Sequence, residues 1–278
     1  MESLALVLEA VGIPFACHQP AGQLLVAGED LPAALFHLEE YLRENARWPP
    51  LPPPCPVLPA QSLPTLPALL FLALFFAQTG TWNQGNDWFI RGALNNTAVF
   101  NQGEWWRLFT ALTLHADLIH LLGNCLIGGM IIHLLSGIVG FGQCWLLLIC
   151  TGACGNLVNI AIRRELHLSV GFSTSVFAAI GVLTGLQLAH SSHRSARALL
   201  LPLGAGMGLL AFLGGEGGRT DLGAHLFGFA CGIASGWMGK RCGLIARFQS
   251  PTWQFFFFFL ALAAPVIAWM WALTYRCG

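Results

Sequence analysis

Charge is scarce in this sequence. Only 9% of its 278 residues are Asp, Glu, Lys or Arg, against about 25% in a soluble globular domain, so a soluble domain is excluded as the whole account. The 13 basic and 13 acidic residues cancel, which leaves no positive surplus to attract nucleic acid and excludes a nucleic-acid partner. Met1 to Ala10 contain Glu2 and Glu9 and no basic stretch before an apolar core, so no cleaved signal peptide is expected. The nine cysteines have no CxxC spacing and no HExxH motif occurs. The cysteines read as small buried hydrophobes, and neither a metal nor another cofactor is expected.

Apolar sequence fills the space that charge leaves, with 55% of residues hydrophobic. Seven of the 13 acids precede Arg47, which describes a small polar head on a polytopic, all-α membrane body. Residues 1–47 read as a small αββα domain. A helix is expected over Ser3 to Val11, strands over Ile13 to Cys17 and Leu24 to Ala27, and a turn at Pro20-Ala21-Gly22. A second helix is capped by Asp30 and opened by Pro32, with Leu35, Leu38 and Leu42 on its apolar face. Between Trp48 and Pro67 stand nine of the 15 prolines, a stiff linker that places the boundary at 48–63.

Seven runs approach the roughly 20 residues that cross a bilayer: 64–79, 114–135, 141–162, 172–190, 199–215, 221–239 and 253–274. The segment from Gly80 to Arg107, with Trp82, Trp105 and Trp106, is too polar to span and reads as an interfacial loop that shapes lateral access. The acidic head and a small Lys/Arg excess favour a cytosolic N-terminus. With that orientation spans two, four and six all begin on the outer face.

Polar residues inside membrane spans are costly and therefore candidates for function. Span two carries His115, Asp117, His120 and Asn124, the last two on one helix face by their i, i+4 spacing. Span four opens with Gly171-Phe172-Ser173-Thr174-Ser175, and span six with Gly223-Ala224-His225. Clusters at the starts of parallel helices fall at similar depth. A serine, a histidine to take its proton, and amide or imidazole N–H groups to receive an oxyanion are the parts of acyl transfer. Gly228, Gly232 and Gly236 on span six, and Thr174, Ala178, Gly181 and Gly185 on span four, give two narrow faces that would let these helices approach closely.

Together these residues resemble the rhomboid intramembrane serine proteases. The matching elements are Trp106-Arg107 in the first loop, His115, His120 and Asn124 in span two, Gly171-Phe172-Ser173, and Ala224-His225 followed by Gly228 and Gly232, in order over about residues 66–239. The resemblance implies a six-helix core at 64–239, and 240–278 then adds a basic loop and a seventh transmembrane helix. It implies a Ser173–His225 dyad, oxyanion stabilisation by His120 and Asn124, no cofactor, and single-pass transmembrane proteins as substrates. It also implies a multi-pass place in a lipid bilayer, most simply a bacterial inner membrane.

Two positions depart from the family pattern: Thr174 stands where the family has Gly, and Phe177 where it commonly has Tyr. Phe177 is expected to stack on His225, whereas Thr174 is expected to narrow the pocket or restrain its loop. Ser175 is a rival nucleophile by chemistry, but lies about 200° around the helix from Ser173. Asp221, one turn before His225, is a candidate third member of a triad. A catalytically inactive relative that binds transmembrane helices as an adaptor is the alternative function.

Overall fold

The computed structural model describes residues 2–18, 23–46, 65–83, 85–163, 165–190, 204, 208 and 221–275. The expected fifth span at 199–215 lies outside the described residues except for Gly204 and Gly208, and so do the linker 48–63 and the turn at Pro20-Ala21-Gly22. The chain divides into two compact units, Met1–Val57 and Leu58–Gly278.

In the first unit, α1 (Glu2–Ala10) and α2 (Leu31–Asn45) accompany an antiparallel pair, β1 (Phe15–His18) and β2 (Gln23–Val26), registered Phe15 to Val26 and His18 to Gln23. Asp30 stands at the N-cap of α2 without a side-chain capping bond, and Pro32 sets its first turn. The expected apolar face of α2 needs correction. It buries Ala34 and half-buries Leu38, while Leu35 and Leu42 are exposed. A unit this small has little interior, and a methyl packs where a leucine does not fit.

The second unit is a bundle of apolar helices. Its described elements are α3 (Thr65–Thr79), α4 (Asp87–Gly92), β3 (Leu94–Asn95), α5 (Asn96–Gln102) and α6 (Arg107–Thr110), then α7 (Leu118–Val139), α8 (Phe141–Ala161), β4 (Leu168–Ser169) and α9 (Ser173–His190). The chain closes with α10 (Leu222–Arg241), α11 (Leu244–Arg247) and α12 (Pro251–Thr274). Among the described residues α7, α8 and α12 are long and apolar enough to cross a membrane unaided. Leu72, Leu112, Leu135, Trp145, Leu148, Phe172 and Val182 join in one buried cluster, drawn from several helices that bury apolar stripes against one another.

Span two begins later than its hydropathy suggests. Leu114 to Asp117 are not helical, and Asp117 caps α7 by accepting the His120 N–H at 2.8 Å. Its carboxylate offers the free first-turn amides an acceptor that the apolar residues before it lack. A π-helical turn at Asn124–Gly128 then interrupts α7, a local widening found frequently at functional sites.

The segment expected as an interfacial loop is folded. Asn86 and Asn95 cap α4 and α5 by accepting the N–H groups of Trp88 and Ala98, each at 3.0 Å. β3 pairs antiparallel with β4, Leu94 opposite Ser169. Asn96 reinforces that join by donating to Glu165 O at 2.7 Å and accepting from His167 N–H at 3.0 Å.

α9 and α10 meet where their side chains are smallest. A Cβ on Gly228, Gly232 or Gly236 would run into the carbonyl oxygen of Thr174, Ala178 or Val182. From the other helix, Gly181 and Gly185 face the carbonyls of Phe229 and Ile233 in the same way. Small faces spaced every four residues bring the backbones together, as the sequence pattern predicts.

Candidate active site

Ser173 is the first residue of α9, and its backbone lies among N–H groups that the helix cannot satisfy itself. Directly ahead, Gly171 holds φ +136° and donates its N–H to Ala111 O at 2.9 Å. A Cβ there would meet the His120 ring, Cε1 at 2.5 Å and Nε2 at 2.7 Å, and would stand 3.2 Å from Ser173 Oγ. Both the backbone angle and the crowding require glycine. His120 therefore sits beside the turn that presents Ser173.

Across the α9–α10 seam, His225 Nε2 and Ser173 Oγ are 2.8 Å apart. His225 is 3% exposed, and the Phe177 ring stacks on it with centroids 4.3 Å apart at 22°. Its Nδ1 is buried and makes no hydrogen bond among the described residues. Asn124, 5% exposed, likewise has a buried Nδ2 without a partner there. A buried donor left open costs stability unless a ligand supplies the acceptor. His115 is fully buried and meets His120 edge-on at 5.4 Å.

Ser175 is turned away, donating Oγ–H to Leu148 O of α8 at 2.9 Å. Thr174, expected to narrow the pocket or restrain its loop, directs its methyl between α8 and α10. Its methyl lies 3.1 and 3.0 Å from where Cβ atoms on Gly155 and Gly228 would stand, so the branch fills a seam between α8 and α10 that two glycines leave open. Trp106 and Arg107 lie in the folded loop. Trp106 Nε1 donates to Arg91 O at 3.1 Å, and Arg107 donates to Ala93 O at 2.7 Å and Ile90 O at 2.9 Å and pairs with Glu104. Gly228 and Gly232 contribute closeness of the helices.

Asp221 does not orient His225. One carboxylate oxygen caps α10 by accepting the Ala224 N–H at 3.1 Å and also pairs with Arg163 at 3.2 Å, while the other faces His167 Nε2 at 2.6 Å and accepts from Asn159 Nδ2 at 2.7 Å. The sequence reading missed His167, Asn159 and Arg163, since nothing local links them to Asp221. Asp221→Ala is expected to cost about 2 kcal/mol in thermal unfolding, because it removes the cap of α10 and the partner of His167 and Asn159.

Among the described residues no group of three or more His, Cys, Asp and Glu is placed to hold a metal ion. One His-x-x-His spacing that the sequence reading leaves out, His190 and His193, lies outside the described side chains.

The family model of the rhomboid domain matches residues 102–242, just over half of the chain. The chain belongs to the rhomboid family. Among rhomboid relatives, YdcA of Bacillus subtilis is 30% identical over 140 residues, 50% of this chain and 68% of YdcA. RHOMBOID-like protein 1 of Arabidopsis thaliana is 31% identical over 154 residues, 53% of this chain and 38% of that protein. The rhomboid protease GluP of Bacillus subtilis is 24% identical over 123 residues, 44% of this chain and 24% of GluP. The chain thus matches well under half the length of the latter two. As a rhomboid with several apolar helices it is an integral membrane protein, and the matched region contains Ser173, His225, His120 and Asn124.

Proposed function

We propose that the chain is an intramembrane serine endopeptidase that cleaves single-pass membrane proteins in or beside their transmembrane segments. The observation that carries this reading is the 2.8 Å separation of Ser173 Oγ and His225 Nε2. At that distance the imidazole takes the hydroxyl proton as Oγ attacks the scissile carbonyl, and then returns it to the leaving amine. The tetrahedral oxyanion is received by Asn124 Nδ2, the His120 ring and the Ser173 backbone N–H at the start of α9. Phe177 holds the plane of the base by stacking, so the dyad needs no third carboxylate. Water hydrolyses the acyl-enzyme by the same route, with His225 again as base.

In this reading α3 and α7 to α10, with the span at 199–215, form a six-helix core, and α12 is a seventh span. The αββα domain faces the cytosol of a bacterial cell, and the site opens toward the outer leaflet. The test is cleavage of a single-pass substrate with small, weakly helical residues in its span, co-reconstituted in liposomes. Wild type and Ser175→Ala are expected to cut it, and Ser173→Ala is not. Binding of the substrate without cleavage by well-folded wild type would favour the adaptor function instead.

A further inference from the structure

The C-terminal helix α12 lies beyond the region that the rhomboid model matches, yet it is fastened to the bundle at both ends. Near its start, Gln254 is fully buried. It accepts the Gly142 and Gln143 N–H groups at 2.8 and 3.2 Å and donates to Phe248 O at 2.7 Å, so a side chain of α12 caps α8. Near its other end, the Trp269 ring fills a notch that Gly92 leaves open, since a Cβ on Gly92 would collide with the Cη2 edge of the ring. Trp88 and Phe75 pack on that ring at 5.2 and 5.5 Å.

Trp269 Nε1 donates to Thr113 Oγ1 at 2.9 Å, and both side chains are buried. The Thr113 hydroxyl gives its own proton to Thr110 O at 2.8 Å, so it acts as acceptor to the indole and donor to the backbone at once. Thr113 closes the 3-10 turn Ala111–Thr113, and Ala111 O of that turn holds the Gly171 N–H, two residues before Ser173. Two residues past Thr113 comes His115, against His120.

We infer that Trp269 is a positioning residue: by donating to Thr113 it fixes the turn that anchors Gly171, and so sets Ser173 Oγ against His120 and His225. The seventh helix then serves to preorganise the nucleophile. This rests on the reading of Ser173 as the nucleophile, and the experiment separates the two. Full-length protein in detergent is treated with a fluorophosphonate probe over a range of concentrations, and exchange of the backbone amides around Gly171 is followed by mass spectrometry.

Trp269→Phe keeps the ring and removes the N–H, and Thr113→Val keeps the shape and removes the hydroxyl. Both are expected to slow the maximal labelling rate about tenfold, the loss of one buried hydrogen bond from the reacting geometry, with half-saturation within about twofold. Both should exchange faster around Gly171. Thr113→Ser, which restores the hydroxyl, and Trp253→Phe, at the other end of α12, should behave as wild type in both measurements. The double variant Trp269→Phe/Thr113→Val should be no slower than the slower single variant, because one hydrogen bond is removed twice.

Unchanged labelling and exchange in folded Trp269→Phe and Thr113→Val overturns the inference. So does a Thr113→Ser variant as slow as Thr113→Val, which assigns the effect to packing. If Trp269→Phe fails to fold, the Thr113→Val and Thr113→Ser pair decides. Labelling that survives in Ser173→Ala removes the nucleophile reading, and the exchange at Gly171 still decides whether the tether exists.

Discussion

Replacing His225 by alanine is expected to lower hydrolysis by about 10³- to 10⁴-fold while leaving the bundle folded. The serine hydroxyl is a poor nucleophile at neutral pH, and the imidazole Nε2 stands 2.8 Å from Oγ on a ring only 3% exposed. Its Nδ1 carries no hydrogen bond among the described residues, so the ring's placement comes from Phe177 and the close approach of α10 to α9. His225→Gln keeps a polar group in the slot but cannot take a proton, and is expected to be as inactive as His225→Ala. A decrease in kcat with KM nearly unchanged identifies a group that acts in the transition state. A His225→Ala variant that keeps a tenth of the wild-type rate would remove the base from its assigned role.

Replacing Gly232 by valine has the largest expected effect on the fold. A Cβ there meets the Ala178 carbonyl oxygen, a backbone atom that cannot rotate aside. Relief requires the two helices to separate, and overpacking of this kind costs about 3 kcal/mol or more once backbone must move. Because Ser173 and His225 stand on the helices forced apart, activity should fall along with thermal stability in detergent. Gly123→Ala is the matching control. Nothing lies within 4 Å of a Cβ at that position, and alanine in a helix should raise stability by about 0.5–1 kcal/mol. Equal melting temperatures for Gly232→Val and wild type would contradict the packing account.

Much of this site was legible because apolar sequence makes polar residues conspicuous. Ser173, His225, His120 and Asn124 stand out from runs in which a hydroxyl, imidazole or amide is expensive. The glycine period at 228, 232 and 236 announces a close helix contact directly, since the cause lies in the spacing itself. The late start of α7 was also written in the sequence, as Asp117 three residues before His120, but apolar Leu114 outweighed the cap in a reading by hydropathy. The π turn at Asn124–Gly128 leaves no mark in periodicity, because inserting one residue per turn shifts the pattern by less than the width of an apolar stripe. The tie between Trp269 and Thr113 joins residues 156 positions apart, and that between His167 and Asp221 joins residues 54 apart. Neither contact has a local signature. The apolar face of α2 went wrong for another reason: leucine spacing marks a face only where a core is deep enough to receive it.

The most direct test of the central claim is to label detergent-purified wild type with a fluorophosphonate and map the adduct by peptide mass spectrometry. Ser173→Ala, Ser175→Ala and His225→Ala are run beside it. The account predicts a single adduct on Ser173, retained in Ser175→Ala and lost in Ser173→Ala and His225→Ala. An adduct on Ser175, or a well-folded wild type that takes no label, would contradict it.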